Sequence, residues 1–170
     1  MTAAAGTAIR GASTPHDIDL ARRLFVEYAQ WLKVDLCFQG FERELATLPG
    51  AYAPPNGRLL LAGTAEVAFG CGALRPLPPG WGAGSGTPAG RIGEVKRLYV
   101  QPLHRGGGWG RRLAEALIEH ARDIGYSELK LDTLGWMSDA RRLYATLGFR
   151  ECDRYYDNPM PDVVYMTLAL

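Results

Sequence analysis

The run Arg105-Gly106-Gly107-Gly108-Trp109-Gly110-Arg111 places four glycines in five residues, with an arginine on each side. Residues without a Cβ let backbone amides approach a ligand closely, and the arginines add positive charge. That chemistry suits an anion. Before the run stands Glu94-Val95-Lys96-Arg97-Leu98-Tyr99-Val100, whose Val, Leu and Tyr favour a buried strand that Pro102 halts. After it, Leu113, Leu117, Ala121 and Ile124 follow the spacing of a core-facing helical stripe. A strand, a glycine loop and a helix N-terminus make an anion site, because free N–H groups and the helix dipole both face the ligand. Two phosphate loops are excluded by spacing. No Lys-Ser or Lys-Thr follows the glycines, so a P-loop fails. A dinucleotide fingerprint fails too: counted from Gly106 its last glycine is Arg111, and counted from Gly108 it is Leu113.

The pattern that fits is Arg105-x-x-Gly108-x-Gly110. With it comes Ala140-Arg141-Arg142-Leu143-Tyr144-Ala145-Thr146-Leu147-Gly148-Phe149, of the form A-x-x-L-Y-x-x-x-G-F. In this pair of motifs, in this order, the chain resembles the GCN5-related N-acetyltransferase (GNAT) superfamily. The resemblance implies an α/β fold with a mixed, mostly antiparallel sheet, a splayed central strand and flanking helices. It implies acetyl-CoA as co-substrate and transfer of the acetyl group to a primary amine by direct attack. It gives the pyrophosphate to Arg105, Gly106, Gly107, Gly108, Trp109, Gly110 and Arg111. It gives the thioester oxygen and the pantetheine amides to the backbone of Leu98, Tyr99 and Val100. Many members carry Asn where this chain has Met137, and Ser138 is the residue placed to take over that cofactor contact.

Such a transfer needs a neutral amine, a polarised carbonyl and a proton for the leaving thiolate. The resemblance makes Tyr144 the general acid, and a phenol with a pKa of about 10 is protonated at neutral pH. It makes Glu94 a base working through water, with Glu27, Tyr28 and Glu42 as rivals; other members use ordered water alone. Glu27, Tyr28 and Glu42 lie on the first two helices, which in the family wall the acceptor pocket, so they are the candidate substrate-binding residues. Tyr155 and Tyr156 add aromatic surface, and with the carboxylates they suit a cationic or aromatic amine. The acceptor class, small molecule or peptide, stays open, with the small molecule favoured. A non-catalytic acyl-CoA-sensing module of the same fold is the alternative, and the retention of Tyr144 beside an intact loop favours the enzyme. Many relatives pair through one edge of the sheet, which makes a homodimer an option here.

These residues need elements to hold them. Thr14-Pro15-His16-Asp17 reads as a helix start, with Thr14 as N-cap, Pro15 in the first turn and Asp17 closing the capping box. Leu20, Leu24, Phe25, Tyr28, Trp31 and Leu32 continue that helix. A first strand is expected over Thr7–Arg10 and a second helix over Phe41–Leu48. Strands are expected over Arg58–Ala62, Ala65–Leu74, Glu128–Thr133, Phe149–Asp153 and Val163–Leu170. A helix reaches Ile124 with Gly125 beyond it, and another spans Asp139–Leu147. Met1–Gly6 is featureless. The Pro-, Gly- and Ser-rich stretch Pro76–Gly90 reads as a long loop inside a domain, with a lid over the substrate site as one role.

Composition sets the remaining bounds. The chain has 170 residues, 47% hydrophobic and 22% charged, with a formal charge of +1. One domain over residues 1–170 is the expectation. No field strong enough to draw in nucleic acid or a membrane follows from that charge. Cys37, Cys71 and Cys152 are odd in number and form no C-x-x-C pair, which points to a reducing, cytoplasmic setting and no zinc site. No His pair has metal-ligand spacing, and no apolar run of about 18 residues exists to span a bilayer.

Overall fold

The structure, a computed structural model, describes residues 6–82 and 91–170. Residues 1–5 lie outside it, as do residues 83–90 of the stretch Pro76–Gly90 read as a loop and lid; of that stretch, Pro76 ends a strand and residues 77–82 are described.

The chain begins with strand β1 (Ala8–Gly11) and helix α1 (Pro15–Leu32). The start of α1 is the expected capping box: the Thr14 hydroxyl accepts from the Asp17 amide, and the Asp17 carboxylate accepts from the Thr14 amide. The same carboxylate accepts from the Ser13 amide and pairs with Arg10 on β1, which ties the first strand to the first helix. Burial alone would raise the Asp17 pKa. The Ser13 and Thr14 amides and Arg10 outweigh it and hold the carboxyl well below the usual range. A carboxylate depressed in the folded state stabilises above its unfolded pKa, and that stabilisation fades as pH falls towards the folded value. Asp17→Asn should therefore cost about 1 kcal/mol at neutral pH, and its deficit should narrow below about pH 4. Urea denaturation at the two pH values measures both; a deficit that widens in acid would refute the account.

Helix α2 (Phe41–Thr47) follows, then strands β2 (Arg58–Gly63), β3 (Ala68–Pro76) and β4 (Ile92–Val100). Helix α3 (Trp109–Ile124) leads to β5 (Glu128–Leu134), and α4 (Ser138–Thr146) leads to β6 (Arg150–Glu151) and β7 (Val163–Ala169). The strands form one seven-stranded sheet in the order β1-β2-β3-β4-β5-β7-β6. All its pairings are antiparallel except β4 with β5. The fold is thus the mixed, mostly antiparallel α/β sheet expected. Helix α3 covers one face, where Leu113, Leu117 and Ala121 pack on Leu74, Val95 and Val100. Helix α1 covers the other, where Leu24 and Phe25 pack on Leu61, Cys71 and Tyr99.

Two irregularities in β4 create the site. First, β4 pairs with β5 only through Ile92, Gly93 and Glu94; β5 continues alongside β7 while β4 diverges. This is the splay. Second, Arg97 has a φ of 56°, in the left-handed region, and the β3–β4 register shifts between Cys71 and Ala73. An extra residue in one strand breaks the alternation of side chains. Val95, Leu98 and Val100 meet the α3 side. Lys96 and Arg97, though consecutive, both serve the opposite, polar side, where Lys96 meets Asp132 and Arg97 meets Glu44.

Candidate active site

A cavity of about 580 Å³ fills the splay. Its walls come from the C-terminal half of α1 and the segment after it, from β4, from the glycine loop and the start of α3, from the end of β5, and from α4.

The glycine loop closes one end. Gly106 and Gly108 have φ values of 83° and 76°, which L side chains rarely adopt. A Cβ built on either would meet nothing within 4 Å, so the space in front of this backbone is open. Gly108 is the N-cap of α3, and no side chain caps the helix. The first amides of a helix have no acceptor within it, so those of Trp109, Gly110 and Arg111 stay available for an anion. Arg105 is held beside them: its Nε donates to the Val100 carbonyl at 2.9 Å, and its guanidinium lies 4.5 Å from the Trp31 ring centre. Arg111 pairs with Glu115 at 3.0 Å and donates to Thr146 Oγ1 at 3.0 Å. His104 stacks on Phe69 at a ring separation of 4.1 Å.

Along the middle run Leu98, Tyr99 and Val100 from β4, facing Met137, Ser138, Leu143 and Tyr144. The Met137 sulfur accepts from Thr133 Oγ1 at 3.6 Å. Ser138 opens α4 without capping it. The Tyr144 ring packs edge-on against Phe149 at 5.6 Å. Its hydroxyl makes no hydrogen bond with any described residue, yet no buried side-chain oxygen is left unsatisfied. The oxygen therefore opens into the cavity that Tyr144 lines. Burial pushes this phenol far above its ordinary range, and Tyr28 and Asp132 push it the same way. Tyr28 lines the cavity too, its pKa pushed up to about 12, chiefly by burial.

A polar cluster closes the far end. Arg97 spans Glu44 with two contacts, Nε to Oε1 at 3.0 Å and Nη2 to Oε2 at 2.7 Å, and donates to Gln39 Oε1 at 2.9 Å. Asp132 Oδ2 accepts from Tyr156 Oη at 2.7 Å and Asn158 Nδ2 at 2.9 Å, while Oδ1 accepts from Lys96 Nζ at 3.3 Å. Burial raises the Asp132 pKa, but the Lys96 charge and these donors prevail and hold it below its ordinary value.

Most of the residues singled out from sequence meet here. Tyr144, Tyr28, Leu98, Tyr99, Val100, Arg105, Gly106, Gly108, Trp109, Gly110, Arg111 and Ser138 all line the cavity. Gly107, Glu94, Glu27 and Glu42 do not. Glu94 is fully buried beside the cavity, where Arg75 reaches it at 2.7 Å, Tyr155 Oη donates at 2.9 Å and Lys96 lies 3.7 Å away. Its two oxygens face these partners and it does not reach the cavity surface. Removing one partner of a buried ionic cluster leaves the others uncompensated, so Glu94→Ala should cost about 3 kcal/mol of stability. A melt with no shift in midpoint would refute this anchoring. Glu27 is committed to Tyr99 Oη and Gln101 Nε2, each at 2.9 Å. Glu42 is exposed on α2. Tyr155 and Tyr156 stand behind the wall, holding Glu94 and Asp132.

Sequence reasoning passed over Lys96, Arg97 and Asp132, all of which line the cavity. A signal was present. An interior strand is normally apolar throughout, yet β5 carries Glu128, Lys130 and Asp132 at alternate positions and β4 carries Glu94, Lys96 and Arg97.

Comparison with known proteins agrees with this geometry. The model described as "Acetyltransferase (GNAT) family" matches residues 22–149. An uncharacterized N-acetyltransferase of Schizosaccharomyces pombe is 39% identical over 163 residues, covering 95% of this chain and 94% of its own. An acetyltransferase structure from Streptococcus agalactiae superposes with a TM-score of 0.73 at 20% identity, over 97% of this chain and 99% of that one. A GNAT family acetyltransferase from Elizabethkingia anophelis, solved with acetyl-CoA bound, superposes with a TM-score of 0.61 at 22% identity, over 96% and 98%. With the family model spanning most of its length and a relative aligned nearly end to end, the chain belongs to the acetyltransferase (GNAT) family.

Proposed function

We propose that the protein transfers an acetyl group from acetyl-CoA to a primary amine, with Tyr144 as the general acid. One observation carries the reading. A phenol with a free hydroxyl opens into the same cavity as an uncapped, glycine-lined helix N-terminus. The residues present fit the co-substrate: the Trp109, Gly110 and Arg111 amides and the open space over Gly106 and Gly108 suit a pyrophosphate. The β5-facing side of β4 beyond Glu94, which has no strand partner, suits an amide-bearing arm. Acetyl-CoA supplies the activated acyl carbon and a thiolate leaving group.

The protein's own groups do the rest. Backbone N–H groups of the splayed strand stabilise the charge that develops on the carbonyl oxygen. Tyr144, kept protonated by burial, gives its proton to the departing sulfur. It regains one from the attacking nitrogen, which has one to lose once the C–N bond forms. Among the described residues two carboxylates line the cavity, Asp132 and Asp139; Asp139 is almost fully exposed at the start of α4, while Asp132 stands in the buried polar cluster. Its lowered pKa makes it a poor proton store, so it orients the amine by accepting a hydrogen bond, and water takes the first proton.

Thiol release with acetyl-CoA, measured against a pool of small amines and a pool of peptides, tests the reading. Turnover with either pool supports transfer. Tight acetyl-CoA binding with no turnover in any pool would favour a sensing module instead.

A further inference from the structure

The acceptor end of the cavity is chemically specific. Lys96 is buried, its side chain 5% exposed, and among the described residues its ammonium meets Asp132 at 3.3 Å, Glu94 at 3.7 Å and the Tyr156 ring, whose centre is 5.9 Å away. Charge-assisted contacts are normally near 2.8 Å, so this cation is loosely held. Arg97 beside it is held more firmly, with a two-point contact to Glu44 at 3.0 and 2.7 Å and a bond to Gln39 at 2.9 Å. Asp132 is the complement: Oδ2 is fully engaged, while Oδ1 has only the long Lys96 contact. A buried cation and a buried anion, each with spare bonding capacity, thus stand side by side on one wall.

The cluster's charge balances. Arg75, Lys96 and Arg97 stand against Glu44, Glu94 and Asp132. A ligand with net charge would bring an uncompensated charge into a buried site, which is unfavourable. A zwitterion would not. Phe38 and Trp136, 37% and 54% exposed, add apolar surface to the same cavity, and Trp136 packs on Trp31 at 5.6 Å.

We propose that the acceptor is a free α-amino acid with an apolar side chain, its carboxylate on Lys96, its amino group on Asp132 and its side chain between Phe38 and Trp136. The inference rests on the acetyltransferase reading and names that site's substrate class. The step is balanced: water takes the first proton from the α-ammonium, the C–N bond forms as the C–S bond breaks, and the second proton passes from the nitrogen to Tyr144 as Tyr144 gives its own to the sulfur, so one proton is released to solvent per turnover. The product is an N-acetyl amino acid and free CoA.

The test uses matched acceptors on the full chain: phenylalanine, its amide, 2-phenylethylamine and a phenylalanine-initiated dipeptide, with a leucine series beside them. Thiol release and product mass are read, and acetyl-CoA binding is measured separately by calorimetry. The amino acids should exceed their amides, amines and dipeptides in kcat/KM by about a hundredfold, because a site built for a polar group rejects analogues that leave its buried charges unpaired. Lys96→Met should raise KM for phenylalanine by about tenfold or more and shrink that preference, and Lys96→Arg should restore part of it. Should Lys96→Met fail to fold, the acceptor series on the unsubstituted protein decides alone. Equal or better turnover of the amines or the dipeptide, or none with any amino acid while acetyl-CoA binds, overturns the inference and leaves the transferase reading standing or falling on the other acceptors. Absence of acetyl-CoA binding would instead overturn both readings at their shared root.

Discussion

Tyr144→Phe should lower kcat by about a hundredfold or more, the usual scale for a positioned acid, while acetyl-CoA affinity stays within about twofold, well under the 1.4 kcal/mol that a tenfold change represents. The substitution removes one oxygen. That oxygen has no hydrogen-bond partner among the described residues, while the ring keeps its place against Phe149. Nothing in the fold depends on the hydroxyl, so the melting temperature should not fall. This separates chemistry from architecture more cleanly than most core tyrosines permit, since a buried hydroxyl with a protein partner would leave that partner unsatisfied when deleted. Single-turnover rates with saturating acceptor give the readout. Undiminished turnover would make Tyr144 a packing residue and return the acid's role to solvent.

Gly108→Val should weaken acetyl-CoA binding by about a hundredfold, or roughly 2.7 kcal/mol. Two effects combine. A φ of 76° is strained for a β-branched residue, by about 1–2 kcal/mol. The new side chain would also stand in the open space before the α3 amides, where an anion must approach. Gly125, at the other end of the same helix, provides the control. It has a φ of 91° and open space around a built Cβ, so Gly125→Val carries the strain without the obstruction. Calorimetric titration of both variants separates the effects. Equal affinity losses would mean that strain in the helix, not blocked approach, is responsible, and the pyrophosphate assignment would fail.

Local chemistry made the framework readable from sequence. Thr14, Pro15 and Asp17 declare the start of α1 because their capping bonds are made within four residues. The glycine loop is legible for a similar reason: conformations closed to other residues leave a mark in the residue type. The bulge at Arg97 leaves no such mark, because an arginine in a left-handed conformation is imposed by the surrounding sheet. Without it, the facing of Glu94, Lys96 and Arg97 could not be worked out from alternation. Nor could the Lys96–Asp132 pairing, whose partners are 36 residues apart and meet only because β4 and β5 begin parallel and then separate. The strand expected over Phe149–Asp153 shrinks to Arg150–Glu151, where the outermost pairing with β7 ends after two residues.

The parting of β4 from β5 also changes what kind of surface the sheet presents. A sheet has two edges; this one has acquired two more in its interior, along the facing sides of strands that are elsewhere central. An edge is where a foreign strand can add and where aggregation starts. Here the parted edges line the cavity, with residues of α1 and α4 among its walls. Amide hydrogen exchange would register the difference. The amides of β4 beyond Glu94 that face β5 should exchange like those of a margin, not like those of a core, until a ligand lies along them.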